Sequence, residues 1–150
     1  MIKRFRAVLD TNVFVSAFLS RNPSSPTKEL IQRWQADEFT LLVCDALLDE
    51  ISEKLLERGI DEDQVIEFLA LLTRLAEWVD LLPGMIQPIV VDPDDDAIFA
   101  CALEGKADFL VTYDPHLLSL GDEYQGVKIN KALPFLWAVR GDPPRGTVML

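Results

Sequence analysis

Four aspartates fall within residues 92–96, in the stretch VDPDDDAIFACAL, and an apolar run follows them at once. Like charges this close repel one another unless water, a cation or protein bases neutralise them. One or two have a simple structural role, because aspartate is a good helix N-cap and a helix N-terminus favours anions. Asp95 precedes three apolar residues at spacings of three, four and seven. This spacing predicts that Asp95 points from its helix towards the sheet.

Three further acids occur where a strand ends or a helix begins. Asp10 follows the β-rich run FRAVL, and Asp114 follows DFLVTY. Glu50 lies one turn into a predicted helix, beside its apolar stripe. The carboxyl ends of parallel strands meet at one edge of a sheet, where sites form in open α/β domains. We therefore expect Asp10, Glu50, Asp95 and Asp114 to converge.

Convergent carboxylates are typical of a site for Mg²⁺ or Mn²⁺, which prefer oxygen ligands. Two such ions, about 3.5–4 Å apart, can support phosphodiester cleavage. Each acid also has a simpler interpretation: Asp10 as a turn residue, Glu50 as the partner of Lys54, and Asp114 as the N-cap of the PHLLSL helix. His116 is assigned to that helix rather than to a metal, and no lysine, arginine or histidine near these motifs is expected to neutralise the acids.

Strands and helices alternate along the chain, which predicts a three-layer α/β/α domain with a central, mostly parallel sheet of about five strands. Residues 1–140 are expected to form a single domain, and residues 141–150 a flexible tail. The predicted strands span residues 5–9, 39–43, 85–91, 108–112 and 127–129. The predicted helices are 13–19, one starting at Pro26 after a Ser25 cap, 45–59, 61–79 with a clean apolar stripe, 94–104 and 131–139.

The composition limits the class of protein. The 150 residues are 49% hydrophobic and 26% charged, as in globular domains, and no apolar run approaches the roughly 20 residues that span a bilayer. Cys44 and Cys101 lie in apolar stretches and are expected to be buried and reduced in a cytoplasmic protein. The net charge of −11 argues against a simple nucleic-acid-binding module, but it is compatible with a metal-dependent enzyme or with a basic protein partner.

At these residues the sequence resembles the PIN-domain family of metal-dependent ribonucleases. AVLDTNVFVSAF resembles the first motif of that family, LLDEISEKL the second, and DPDDDAIFACALEGKADFLVTYDPHLL the third and fourth. The resemblance covers roughly residues 5 to 140, although NKALPFL stands where the family often reads TPxEFL. The most similar branch is the VapC-like group of toxins from toxin–antitoxin pairs.

The resemblance implies that Asp10, Glu50, Asp95 and Asp114 are the catalytic metal ligands. Asp96 is the second choice to Asp95, and Asn12 and Thr112 would be supporting residues. The implied reaction is hydrolysis of phosphodiester bonds in RNA with one or two Mg²⁺ or Mn²⁺ ions, the metal charge offsetting the developing negative charge. Candidate contacts to the RNA backbone, each also explained as a solvated surface residue, are Lys3, Arg4, Arg6, Arg140 and Arg145.

Other functions fit the sequence less well. A haloacid-dehalogenase-like phosphatase needs a second aspartate where Asn12 stands, and a receiver domain needs a lysine after a late strand that is not evident here. A non-catalytic protein-binding module with a PIN-like fold is the main alternative. The acidity and the apolar stripe of helix 61–79 would then serve an antitoxin-like partner or self-association, as a homodimer or higher homo-oligomer.

Overall fold

The described residues form a mixed six-stranded sheet with helices on both faces, and the predicted three-layer α/β/α class is confirmed. The structure, a computed structural model, describes residues 4–86, 88 and 93–142. The strands are β1 (Arg6–Leu9), β2 (Thr40–Val43), β3 (Glu77–Trp78), β4 (Phe109–Val111), β5 (Glu123–Tyr124) and β6 (Val127–Asn130). The helices are α1 (Thr11–Leu19), α2 (Pro26–Gln35), α3 (Asp45–Glu57), α4 (Glu62–Leu75), α5 (Pro93–Glu104), α6 (Pro115–Leu118) and α7 (Ala132–Arg140).

The strand order is β3-β2-β1-β4-β6-β5, and only the β5–β6 pair is antiparallel. The central strands β1, β2 and β4 are almost continuously apolar, and Val8, Leu42 and Leu110 are fully buried. Such runs are expected in a parallel sheet that is covered on both faces. β1 and β4 are neighbours, with Leu9 opposite Val111, so the residues that follow these two strands emerge side by side.

Two predicted helix starts are confirmed at the level of single hydrogen bonds. The Lys28 N–H donates to Ser25 Oγ at 3.3 Å, with Pro26 at the first helical position. The His116 N–H donates to Asp114 Oδ1 at 2.8 Å at the start of α6. In both cases the side chain accepts from a backbone donor that has no partner within the helix.

The C-terminal part of predicted helix 61–79 is wrong. α4 ends at Leu75, and the next residues form β3, which pairs with β2; just beyond it, the Val79 N–H donates to Val43 O at 2.7 Å. Arg6 holds this segment from the other side through an ion pair with Glu77. Trp78 of β3 is 40% exposed. After Leu75 the chain forms hydrogen bonds to β2 instead of the last helical turn that the apolar spacing predicted.

The strand predicted at 85–91 is not found in its described part. Pro83–Met85 form a 3-10 turn, and residues 86 and 88 are not in a strand. The remaining residues of the predicted strand, 87 and 89–91, lie outside the described part. β5, which was not predicted, is a two-residue strand joined to β6 by a tight turn with Gln125 and Gly126 at positive φ. The domain boundary at residue 140 stays a prediction, because residues 143–150 lie outside the description.

Aromatic rings and the two thiols fill much of the core. Phe68 of α4 packs edge-on against Phe14, Phe18 and Trp34 from α1 and α2. Cys44 and Cys101 are buried free thiols, as predicted. None of the helices formed by the described residues is long and apolar enough to cross a membrane.

Candidate metal centre

The four predicted acids line one cleft of about 380 Å³. Asp10 comes from the end of β1, Glu50 from α3, Asp95 from α5 and Asp114 from the junction between β4 and α6. The crossovers of a parallel sheet bring these distant positions to the same edge. The geometric expectation of convergence therefore holds, and the catalytic role of the four acids stays a prediction.

Asp10 forms the floor of the cleft and is only 4% exposed. Its Oδ1 accepts the Thr11 N–H at 2.8 Å and its Oδ2 accepts the Thr112 hydroxyl at 2.7 Å. Burial raises the pKa of Asp10 above its ordinary value, the two hydrogen bonds oppose this shift, and the nearby charge of Asp114 adds to it. A buried carboxylate of this kind is stabilised in its charged form by a cation.

Thr112 fixes two of the acids relative to each other. Its hydroxyl donates to Asp10 Oδ2 and accepts the backbone N–H of Asp114 at 2.9 Å, and the side chain is fully buried. Asn12, at the same edge, accepts the Tyr113 N–H through its Oδ1 at 3.4 Å. These hydrogen bonds connect the end of β1 to the segment after β4, and the supporting role of both residues stays a prediction.

Asp95 and Asp96 differ in which space they reach. Both are buried, at 5% and 6% exposure. Asp95 lines the cleft, while Asp96 is not among the residues that line it. This geometry favours Asp95 over Asp96 as the ligand. Asp92 and the side chain of Asp94 lie outside the described part of the chain.

Two cations and a fifth acid of the cleft were missed in the sequence. Lys54, Glu57 and Arg58 line the cleft, and Lys54 Nζ lies 3.4 Å from Glu57 Oε2. The expectation that no basic residue near the motifs is placed to neutralise the acids is therefore wrong, because Lys54 and Arg58 lie in the same cleft. The signal was present, because these residues follow Glu50 by four, seven and eight positions, which places them on the same face of α3.

The basic residues proposed to contact RNA are engaged elsewhere where they are described. Arg4 pairs with Asp37, Arg6 with Glu77, and Arg140 with Glu29. None of these three lines the cleft. Lys3 and Arg145 lie outside the described residues. Lys54 and Arg58 are thus the cations that the described part of the chain offers to a ligand in the cleft.

The donor set fits a divalent cation. Asp95, Asp114 and His116 each offer a ligand atom, and these atoms lie within 4.8 Å of one another. Thr11 also lines the cleft; it is 4% exposed, and its Oγ1 has no hydrogen-bond partner among the described residues. Carboxylate and hydroxyl oxygens around a partly open cleft suit Mg²⁺ or Mn²⁺, which retain part of their water shell.

Comparison with known proteins gives a consistent result. The chain is 27% identical over 132 residues to the uncharacterized protein MJ1680 of Methanocaldococcus jannaschii, a match that covers 85% of this chain and 82% of that protein. A chain in the crystal structure of VapBC2 from Rickettsia felis, bound to a DNA fragment from their promoter, has a similar fold. Its TM-score is 0.56 at 17% identity, over 83% of this chain and 98% of that chain.

A protein-family profile also matches this chain. The profile described as PIN domain matches residues 6–116. The matched segment runs from β1 into α6 and contains all four acids of the cleft. Because the match covers well over half of the sequence, the chain belongs to the PIN domain family.

Proposed function

We propose that this protein is a metal-dependent endoribonuclease that hydrolyses phosphodiester bonds in RNA. The observation that carries the proposal is the convergence of Asp10, Glu50, Asp95 and Asp114 in one cleft. Four carboxylates from separate elements, with Asp10 and Asp95 buried, repel one another without a cation, so an arrangement of this kind indicates a functional site. Membership of the PIN domain family supports the same reaction class.

The residues of the cleft have two roles: some would bind the metal ion, and others position those ligands. Asp10, Glu50, Asp95 and Asp114 would hold Mg²⁺ or Mn²⁺. Such an ion, when bound, activates water as a nucleophile and offsets negative charge on the phosphoryl oxygens. Thr112 keeps Asp10 and Asp114 in register through its two hydrogen bonds, as the partners of metal ligands commonly do.

Lys54 and Arg58 would contact the phosphates of the RNA. Both lie on the exposed part of the cleft, whereas Asp10 and Asp95 form its buried floor. On an α-helix they stand roughly 6 and 12 Å along the axis from Glu50. RNA phosphates passing over the acids towards these side chains would therefore meet positive charge, although the whole chain carries −11.

Cleavage of single-stranded RNA, measured with and without Mn²⁺, tests the proposal. Wild type is expected to cleave only with the ion, and Asp10→Asn and Asp114→Asn are each expected to lose cleavage by at least about 100-fold. Asp63→Asn, an exposed acid of α4 away from the cleft, is the matched control and should behave as wild type. Equal cleavage by all four proteins would reject the mechanism. Inactivity of wild type across varied RNAs would instead favour the protein-binding alternative.

We further propose that the chain acts as the toxin of a toxin–antitoxin pair. Its fold resembles a chain from a VapBC2 assembly. α4 also exposes apolar side chains, Ile66 at 56% and Leu75 at 46%, that a protein partner would cover. A small adjacent gene with a DNA-binding pattern, whose product co-purifies with this chain and suppresses its cleavage, is the expected result. Absence of any such neighbour in related genomes would count against the pairing. Self-association stays a prediction, to be checked by light scattering.

A further inference from the structure

His116 lies against the acid cleft although the sequence assigned it to helix α6 alone. It is the second residue of α6, and its side chain is 59% exposed. One of its ring nitrogens lies within 4.8 Å of carboxylate oxygens of both Asp95 and Asp114. It is also the single histidine of the chain. The imidazole therefore lies beside two of the acids of the cleft.

The contact between His116 and Asp114 has the dimensions of two ligands of one ion. The backbone N–H of His116 caps α6 through Asp114 Oδ1, which ties the two residues together. The ring Nδ1 lies 3.5 Å from the same oxygen, longer than an ordinary hydrogen bond. Donor atoms that each stand about 2.1 Å from an octahedral ion are roughly 3–4 Å apart. Asp114 Oδ2 accepts no hydrogen bond from the described residues and is open to a ligand.

Thr11 provides an independent sign that the cleft takes a ligand. Its hydroxyl is buried in the wall of the same cleft without a hydrogen-bond partner among the described residues. An unsatisfied buried hydroxyl costs free energy, of the order of 1–3 kcal/mol. A ligand in this cleft could therefore supply the partner that the Thr11 hydroxyl lacks.

We propose that His116 supplies a nitrogen ligand beside Asp95 and Asp114, and that this site consequently prefers Mn²⁺ or another first-row transition ion over Mg²⁺. Mg²⁺ favours an all-oxygen shell, whereas imidazole is a good ligand for transition ions. The proposal rests on the metal cleft of the proposed function but replaces its all-carboxylate shell with a mixed one. It therefore assigns the metal specificity to one side chain.

Pulsed electron paramagnetic resonance of Mn²⁺ tests this directly. Untagged protein is used, so that His116 is the only imidazole able to produce a ¹⁴N coupling at the bound ion. Wild type is expected to show that coupling, and His116→Gln to lack it. Calorimetric titration of metal-free protein should show that wild type binds Mn²⁺ at least about tenfold more tightly than Mg²⁺. His116→Gln should lose most of that preference while its Mg²⁺ affinity stays within about twofold. Asp122→Asn, an exposed acid that does not line the cleft, is the control.

The outcomes separate this inference from the proposed function. Bound Mn²⁺ without the ¹⁴N coupling, and with equal affinity in wild type and His116→Gln, overturns the role of His116 and leaves the ribonuclease proposal standing. The coupling together with no RNA cleavage upholds His116 and sinks the ribonuclease. Failure of wild type to bind either ion overturns both. Circular dichroism and the melting temperature of His116→Gln establish that the variant is folded before any of these results is used.

Discussion

Thr112 connects two of the acids of the cleft, Asp10 and Asp114, through hydrogen bonds. Its hydroxyl donates a hydrogen bond to the buried carboxylate of Asp10 and accepts one from the backbone N–H of Asp114. The resemblance to the PIN-domain family implied a supporting role for this side chain, and the placement of the four acids after strands and at helix starts predicted that they converge. Depth in the cleft was not predictable: Asp10 and Asp95 are nearly buried while Glu50 and Asp114 are half-buried. Depth depends on how the helices pack, which residue spacing does not specify.

Replacing Thr112 with valine is expected to weaken both metal binding and the fold. Valine keeps the shape but leaves Asp10 Oδ2 and the Asp114 N–H without their partner, at a cost of about 1–3 kcal/mol in unfolding free energy. Mn²⁺ affinity should fall about 10- to 100-fold. Urea unfolding and calorimetric titration measure the two effects. Thr112→Ser retains the hydroxyl and should recover most of both; if serine behaves like valine, the hydrogen bonds are not the cause.

At the scale of elements, α3 carries charges of both signs into the cleft. Glu50, Lys54, Glu57 and Arg58 share one face of this helix. The sequence suggested an ion pair between Glu50 and Lys54, whereas in the structure Lys54 pairs with Glu57. The helical spacing contained the information, but only the packing of α3 against α1 and α5 shows that this face is turned to the cleft.

Removing the positive charges of α3 is expected to weaken RNA binding without removing the acids. In an Asp10→Asn background that stops cleavage, Lys54→Gln and Arg58→Gln should each raise the dissociation constant. Each should also lower the slope of log affinity against log salt by about 0.7, the value for one phosphate contact to a single strand. Fluorescence anisotropy across a salt series measures this slope. Arg21→Gln, exposed beyond the C-terminal end of α1, is the matched control; an unchanged slope in both cleft variants would rule out the phosphate contacts.

Helices α2 and α7 are joined by Glu29, which pairs with Arg33 and Arg140. The guanidinium of Arg140, and after it that of Arg33, lowers the pKa of Glu29 from 4.5 to about 2. The folded state therefore favours the charged form. Its stabilising contribution is complete above pH 4.5 and is lost as the pH falls towards 2.

Glu29→Gln is expected to lower the free energy of unfolding at pH 7 by about 1 kcal/mol, since solvent screens a pair that is a quarter exposed. The difference from wild type should shrink as the pH falls from 4.5 towards 2, because wild type then loses the same interaction. Urea unfolding at pH 7 and pH 3 measures it. Glu38→Gln, which touches Arg33 alone among these arginines, should show a smaller difference at pH 7. A difference for Glu29→Gln that is constant with pH would contradict the assignment.

The strands of the sheet differ in how far the sequence predicts them. Strands β1, β2, β4 and β6 and most helix starts follow from apolar runs and caps, so the mostly parallel class of the sheet was predictable from sequence, whereas the strand order was not predicted. β3 was not, because Glu77 and Trp78 continue a helical pattern and become a strand only through pairing with β2. Gly105 shows how closely this edge packs: a Cβ there would lie 2.8 Å from Leu42 Cδ1 and 2.9 Å from Val79 Cγ2. Contacts of this kind join distant residues and leave no local signal.

At the scale of the whole molecule, part of the negative charge lies buried where an ion would relieve it. The chain carries −11 overall, Asp10 and Asp95 are buried in the cleft, and burial raises the pKa of Asp10. Burial therefore disfavours the charged form of Asp10 when no cation is bound. An ion bound only by the folded state adds its binding free energy to that of folding.

Mn²⁺ at about 100 times its dissociation constant is accordingly expected to stabilise the wild-type chain by about 2.7 kcal/mol. For a chain of this size that corresponds to a rise in melting temperature of roughly 5–10 °C. Differential scanning calorimetry measures the rise, with NaCl at matched ionic strength as the control for general screening. In the double variant Asp10→Asn/Asp114→Asn, compared with its own metal-free melting temperature, Mn²⁺ should no longer produce a shift. An equal shift in the double variant, or an equal shift with NaCl, would place the ion elsewhere and remove the cleft as the source of the stabilisation.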